Sequence, residues 1–360
     1  MEQVRTGKGS RVYSVPLKMV KGKDKVLFSL KNLLTHYHFR LLNLFDNEDL
    51  VGIKINIHDG PSHHQIDPAF ASLFIKHLKK RGVYPFLCDT TGRYQDRKVN
   101  AVSCVERANL SGFGFEKVGG AFLMLDGPDG RSGFSTEVSN VKGEVTDVHL
   151  VSDIQNINGM IVLVRPESNE FAGFSGALKT LGADLASKRG KIMMYSKSKP
   201  CVDKSKCFYC RKCMHKCPVG AITVDEINRN VEIDHDICIN CGICVEVAKY
   251  GGIAYDWDAD PEYFQKHMIE NAMAVKDILG KKMLFANFLM YPEDMTKPYD
   301  EAEGFKGILV SRDPVALDKA TYDLTGGSIC YSHIKMNKLF EMAQKCGLGS
   351  THYDLVDVSY

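Results

Sequence analysis

The sequence predicts an α/β fold: a largely parallel open sheet flanked by helices, with a small cysteine-rich α+β insert. Three observations carry that reading. From Val51 onward, apolar runs of strand length alternate with segments whose apolar residues recur at helical spacing. Cysteines then crowd into the stretch from Cys201 to Cys244. Beyond it the strand–helix alternation resumes in the same style. The economical organisation is one α/β domain in two parts, residues 1–199 and 258–360, split by an insert over 200–257.

The elements follow in order. Residues 26–34 have helical spacing, and 51–57 form a short apolar-rich strand. Asp67-Pro68 opens a helix, Asp as N-cap and Pro in the first turn. Phe70, Leu73, Phe74, His77 and Leu78 mark its inner face, and Gly82 ends it after the basic Lys79-Lys80-Arg81. A second strand over 83–88 stops at Asp89-Thr90-Thr91-Gly92, making a βαβ unit whose strands should be parallel. A helix over 101–108, a strand over 121–125, a hairpin over 132–150 and a buried strand over 160–164 continue the pattern. Gly173-Phe174-Ser175-Gly176 leads into another helix, and 191–195 reads as one more strand. After the insert come a helix over 261–279 and strands over 282–288 and 307–310. Asp313-Pro314 then caps and opens a further helix.

With 360 residues, the chain is long enough for a large core, and 25% charged and 44% hydrophobic residues read as globular. The formal net charge is +2, from 46 basic and 44 acidic residues, so no basic excess points to nucleic acid or an anionic membrane surface. No apolar run approaches a membrane span or a signal-peptide core. Twelve cysteines without an export signal point to reduced thiols in a cytoplasm. Cys88, Cys104, Cys330 and Cys346 are scattered and read as structural.

The clustered cysteines are different. Cys207-x2-Cys210-x2-Cys213-x3-Cys217-Pro218 has the ligand spacing of a bacterial-type ferredoxin, and Cys238-x2-Cys241-x2-Cys244 repeats it. Zinc sites use Cys-x2-Cys pairs, but three Cys at two-residue gaps followed by Cys-Pro fit zinc poorly. Two runs imply two clusters. In that module the fourth Cys of a run crosses to the other cluster. One [4Fe–4S] cluster is therefore expected on Cys238, Cys241, Cys244 and Cys217. The other, [4Fe–4S] or [3Fe–4S], falls to Cys207, Cys210 and Cys213, because Ala248 stands where the second run's fourth Cys belongs. Three outcomes stay open: a three-iron cluster, a cube with one open iron, or a substitute ligand, for which Cys201 is the candidate. Segments 221–224 and 231–233 form a small hairpin between the runs, making the insert ferredoxin-like.

These residues carry a resemblance. Asp89-Thr90-Thr91-Gly92-Arg93-Tyr94, Asn100-Ala101-Val102, Asp126-Gly127, Gly173-Phe174-Ser175-Gly176-Ala177-Leu178-Lys179, the cysteine runs and Ser311-Arg312-Asp313-Pro314-Val315-Ala316-Leu317-Asp318 together resemble the uncharacterised iron–sulfur centre proteins, domain-of-unknown-function family 362. The resemblance implies an α/β domain with an embedded two-cluster module and no settled activity. It also implies departures here. Arg165-Pro166-Glu167-Ser168-Asn169 replaces a His-x-Lys-Gly-His pattern, Ala248 replaces a Cys, Cys201 stands at a usually apolar position, and a Cys-Asp-Cys stretch near residues 287–296 is absent.

Outside the insert, ligands of an open parallel sheet sit beyond the carboxyl ends of its strands. His58, Asp59, Asp89, Asp126 and Arg165 all follow predicted strands, and Lys179 lies one turn into the helix after the Gly-rich turn. His58, Asp89, Arg165 and Lys179 are the candidates for handling an anionic small molecule, although Asp, Gly and Ser at strand ends commonly serve as caps and turns. His63 and His64 could join His58 in a metal group, but adjacent His residues rarely ligate one ion. The expected function is iron–sulfur electron transfer, coupled to a redox partner protein or a small-molecule substrate. An enzyme of this kind would be an iron–sulfur oxidoreductase. A non-redox open-iron site and a plain electron-carrier subunit are the alternatives.

Overall fold

The computed structural model describes the chain except residues 1–8, 19–21, 36–40, 58–64, 93–99, 140–142, 257–258, 291–304 and 359–360. Strand β1 (Ser10–Pro16) precedes helix α1 (Lys23–Thr35), which buries Val26, Leu30, Leu33 and Leu34 along one face. Strand β2 (Leu50–Lys54) is followed by α2 (Pro68–Lys79), where the Asp67 carboxylate accepts from the Ala69 N–H at 2.9 Å and Pro68 sits in the first turn. Then come β3 (Tyr84–Asp89), α3 (Ala101–Ala108), capped by Asn100, α4 (Phe115–Val118) and β4 (Phe122–Met124). Strands β5 (Gly133–Ser139) and β6 (Val145–Val151) form the expected hairpin, and β7 (Gly159–Val164) is buried throughout.

The next stretch is less regular. A two-residue ladder of β8 (Ser168–Asn169) and β9 (Gly173–Phe174) leads to α5 (Ala177–Lys179), a π-helical turn at Thr180–Asp184 and α6 (Lys188–Tyr195). The strand expected over 191–195 is therefore the second half of a helix. A short apolar run has no period of its own, and here the Ser187 hydroxyl caps the Gly190 N–H at 3.3 Å and starts a helix instead. A Cβ on Gly190 would lie 2.3 Å from the His149 carbonyl, so only glycine lets α6 lie this close to β6.

The chain then leaves the sheet. β10 (Cys201–Val202), α7 (Lys212–Lys216), β11 (Ile222–Asp225), β12 (Asn230–Ile233), α8 (Ile243–Val247) and β13 (Ile253–Ala254) make a small α+β unit. β10 pairs antiparallel with β13 where the chain departs and returns. This unit has its own apolar cluster around Ile222, Val231, Val245, Ile253 and Tyr255, joined by Ile192 from α6. α9 (Pro261–Leu279), capped by Asp260, β14 (Met283–Leu289), β15 (Gly307–Ser311), α10 (Pro314–Leu324), capped by Asp313, α11 (Met336–Lys345) and β16 (Tyr353–Asp357) complete the fold.

Eight strands form one sheet in the order β16–β1–β15–β14–β7–β2–β3–β4. It is mostly parallel, as the sequence predicts; the antiparallel pairs are β1/β15 and β15/β14. Alternate residues of β7 divide between two cores: Ile161 and Leu163 face α1 and α2, while Met160, Val162 and Val164 face α9, α10 and α11. Both faces are thus covered, which explains why the central strands read as unbroken apolar runs. Among the described residues, no helix is long and apolar enough to cross a membrane.

The π-helical turn packs on α9 so closely that a Cβ on Gly182 would lie 1.9 Å from the Met268 carbonyl oxygen. Gly182→Ala is expected to lower stability by about 3 kcal/mol. Urea unfolding should show a lower midpoint with an unchanged slope.

Candidate functional site

The two cysteine runs are offset by 31 residues, Cys207 to Cys238, and their backbones repeat at the same offset. Tyr209 and Asn240 are both left-handed, at φ 54° and 55°. So are Arg211 and Gly242, at 60° and 71°, and Gly220 and Gly251, at 65° and 78°. Helices α7 and α8 obey the same offset, ending at Cys217 (φ −69°, ψ 116°) and Ala248 (φ −75°, ψ 90°). A left-handed non-glycine residue costs about 1 kcal/mol or more, and several in one loop turn backbone N–H groups inward. Tyr209 N–H donates to the Cys207 Sγ at 3.4 Å and Ala221 N–H to the Cys217 Sγ at 3.2 Å.

Two cavities result. One, about 180 Å3, is lined by Cys207, Cys210, Cys213, Phe208, Ala248 and Tyr250 among others. The other, about 20 Å3, is lined by Cys238, Cys241 and Cys244, and by Cys217 from the opposite run. Cys217 and Ala248 have thus changed sides. Burial raises the thiol pKa of Cys213 and Cys241 and pushes Cys244 up to about 12, and neighbouring cysteines add to each shift. Bare thiols at these three positions hold their protons, and binding a cation would release them. Among the described residues no three His, Cys, Asp or Glu side chains converge as ligands of a single ion do. Cysteines spread round a cavity suit a group with several metal atoms better than one ion. Cys201 is exposed on β10, its thiol 3.5 Å from the Lys199 carbonyl, and belongs to the lining of neither cavity. Cys88 and Cys104 are buried in the α/β part, while Cys330 and Cys346 pack half-buried against its core.

A second constellation lies at the carboxyl ends of β2 and β3. Strand order runs outward from β2 to β3 and β4, then returns to place β7 on the other side of β2, so the topological switch point lies between β2 and β7. The Lys54 ammonium, fully buried, pairs with the Asp89 carboxylate at 2.9 Å and donates to Asn56. The Asp89 carboxylate also accepts from the N–H groups of Ile57 and Thr90. Lys179 pairs with Asp184 at 2.5 Å, and Asn56 donates to the same carboxylate. Lys191 donates to the Thr90 hydroxyl at 2.9 Å and to the Thr91 carbonyl at 2.6 Å. One Asp126 oxygen takes the Thr91 N–H and hydroxyl, and the other is buried with no hydrogen-bond partner among the described residues. Burial works against both charges of the Lys179–Asp184 pair, yet mutual attraction leaves Lys179 raised and Asp184 lowered. For Lys191 burial wins: its pKa falls to about 8 despite Asp126, Asp184 and Asp89 nearby.

The structure therefore brings Asp89, Asp126 and Lys179 into one network. Arg165 is buried at the end of β7, 3.6 Å from Glu167, and His58, Asp59, His63 and His64 lie outside the described residues. The expected anion-binding turn at Gly173–Gly176 is otherwise engaged: the Ala177 and Leu178 N–H groups donate to the buried Asp318 carboxylate at 2.9 and 2.8 Å. Lys54, Asp184 and Lys191 were not legible as members of the site. A lysine inside an apolar strand was the one available signal, for Lys54.

Residues 51–323, from β2 to α10, match the family described as "Domain of unknown function (DUF362)". The chain belongs to the DUF362 family. The pyruvate synthase subunit PorD of Methanothermobacter marburgensis is 36% identical to this DUF362 protein over 73 residues, 19% of this chain and 84% of that subunit. The PorD subunit of Methanocaldococcus jannaschii is 47% identical over 47 residues, 13% of this chain and 54% of that subunit. Among solved structures, the lactate racemase apoprotein from Thermoanaerobacterium thermosaccharolyticum superposes with a TM-score of 0.45 at 12% identity, covering 88% of this chain and 57% of that one. A Thermotoga maritima protein gives 0.39 at 11%, covering 90% and 58%. The chain thus spans little more than half the length of the second PorD and of both solved structures.

Lys191 gives this DUF362 protein a pH signature. Below about pH 8 folded and unfolded chains both carry its proton, and the full cost of burying the charge is present. Between about 8 and 10.5 only the unfolded chain keeps the proton, so this group makes stability rise with pH. Urea midpoints measured across that window should rise more steeply in the parent than in Lys191→Met. Parallel curves would show that Lys191 does not titrate there.

Proposed function

We propose that the chain is an iron–sulfur electron-transfer protein whose insert holds two clusters and whose α/β domain offers a small-molecule or partner site. The observation that carries this reading is the exchange of sides: Cys217 lines the cavity of Cys238, Cys241 and Cys244. Four thiols there, and three in the other cavity, fit the ligand needs of two clusters. Cys238, Cys241, Cys244 and Cys217 would hold one [4Fe–4S] cluster, and Cys207, Cys210 and Cys213 the other. Bound clusters would supply one-electron chemistry. The N–H groups of Tyr209 and Ala221 would hydrogen-bond to the Cys207 and Cys217 sulfurs when these ligate a cluster. The domain reading follows: 1–199 and 258–360 form the α/β domain, 200–257 the insert.

Two contacts favour coupling between insert and α/β domain. On α6, Lys191 reaches the switch-point network while Ile192 packs into the insert's core. The loop after β4 carries Asp126 into the network, and Arg131 of the same loop pairs with Glu246 of α8 at 2.7 Å. The likeness to PorD, a subunit of a synthase, supports a protein redox partner.

The test is iron and sulfide content of anaerobically prepared protein, with EPR of the reduced state. The parent should show two interacting clusters. Cys217→Ala should lose or alter the cluster of Cys238, Cys241 and Cys244, with iron content down by roughly half at most, and spare the cluster nearer in sequence. If Cys217→Ala instead disturbed the Cys207 cluster alone, the exchange of sides would be wrong.

A further inference from the structure

The 31-residue repeat makes Ala248 the structural counterpart of Cys217. Both residues terminate equivalent helices with similar backbone angles, and each lines the cavity of the opposite run. The small cavity is therefore lined by four cysteines, whereas the large one has three and a methyl group. Cys201 is not in its lining. By the same measure the three-cysteine cavity has about 180 Å3 of space, against about 20 Å3 in its counterpart. Its wall is apolar, with Val224, Val231, Val247 and Ile253. Phe208 and Tyr250, 69% and 76% exposed with ring centroids 5.3 Å apart, stand at its edge. Lys212 adds positive charge beside them, while Arg211 pairs with Glu226 at 2.9 Å.

We propose that the cluster site of Cys207, Cys210 and Cys213 takes its fourth ligand from outside the chain, and that this ligand is a small thiolate. The proposal rests on the two-cluster reading above. Ala248 has no donor atom, so the position that Cys217 fills in the second cavity goes to a visiting molecule in the first. Soft sulfur donors suit iron–sulfur clusters. An apolar wall penalises a strongly hydrated carboxylate, and Lys212 offsets the single negative charge of a thiolate. The thiol would bind deprotonated, its proton passing to solvent. Phe208 and Tyr250 supply aromatic surface for the ligand's carbon chain.

The experiment uses the full chain, anaerobically loaded with iron and sulfide, titrated with 2-mercaptoethanol and followed by EPR and Mössbauer spectroscopy. In the parent and in Cys201→Ala, the thiol should shift the signal of one iron in one cluster. Mild oxidation without thiol should take one electron and one Fe2+ from that cluster, leaving a three-iron form that Fe2+ added with dithionite, which returns the electron, reverses. Ala248→Cys should abolish both responses while leaving the other cluster unchanged. A parent that ignores thiol, with Cys201→Ala producing the three-iron signal, would overturn the proposal and make Cys201 the fourth ligand, with the two-cluster reading intact. The parent and Cys201→Ala arms decide this even if Ala248→Cys fails to fold. A chain that binds no iron and sulfide would end both readings.

Discussion

Burying a parallel sheet on both faces leaves its polar strand ends with few ways to meet water, and the switch point between β2 and β7 is where that constraint is most severe. Lys54, Lys179 and Lys191 meet Asp89, Asp126 and Asp184 there, all at least largely buried. An isolated buried charge costs several kcal/mol, and removing one partner of a buried pair costs about 3–5 kcal/mol. The groups are tolerable only together. The Thr90 hydroxyl donates to the Asp184 backbone carbonyl and accepts from Lys191, while Thr91 donates its hydroxyl to the Asp126 carboxylate and its carbonyl accepts from Lys191.

That network is also where the insert is anchored. α6 ends the first part of the α/β fold with one side chain in the charged cluster and the next in the insert's apolar core. β10 and β13 close the neck, and Arg131 ties the Asp126 loop to α8. The switch-point network and the insert's apolar core thus meet through adjacent residues of α6. The π-helical turn at Thr180–Asp184, held against α9 by Gly182, keeps Asp184 within reach of Lys179 and Asn56.

The insert obeys a different constraint. Its core is small, and its loops hold five of the six left-handed non-glycine residues among those described: Tyr209, Arg211, Arg229, Asn240 and Tyr250. Loops that spend conformational energy this way are typically organised around a bound group. The repeated backbone with unlike residues at Cys217 and Ala248 makes the two cavities similar in frame and different in chemistry.

Much of this protein was set locally. The caps at Asp67, Asn100, Asp260 and Asp313, the apolar strands and the Cys-x2-Cys-x2-Cys loops depend on neighbours a few residues away, and such patterns are visible in one dimension. The α/β class and most strands could be read that way. α6 could not, because five apolar-rich residues fit either period. Nor could the outer strands β1 and β16, whose pairing joins the two ends of the chain. Lys54 meeting Asp89, Lys191 meeting Thr91, and Asp318 taking the helix N–H groups reserved for an anion are contacts across 35 to 141 residues. Only the packed sheet decides them, because a buried charge selects its partner by proximity in space, which sequence spacing does not encode.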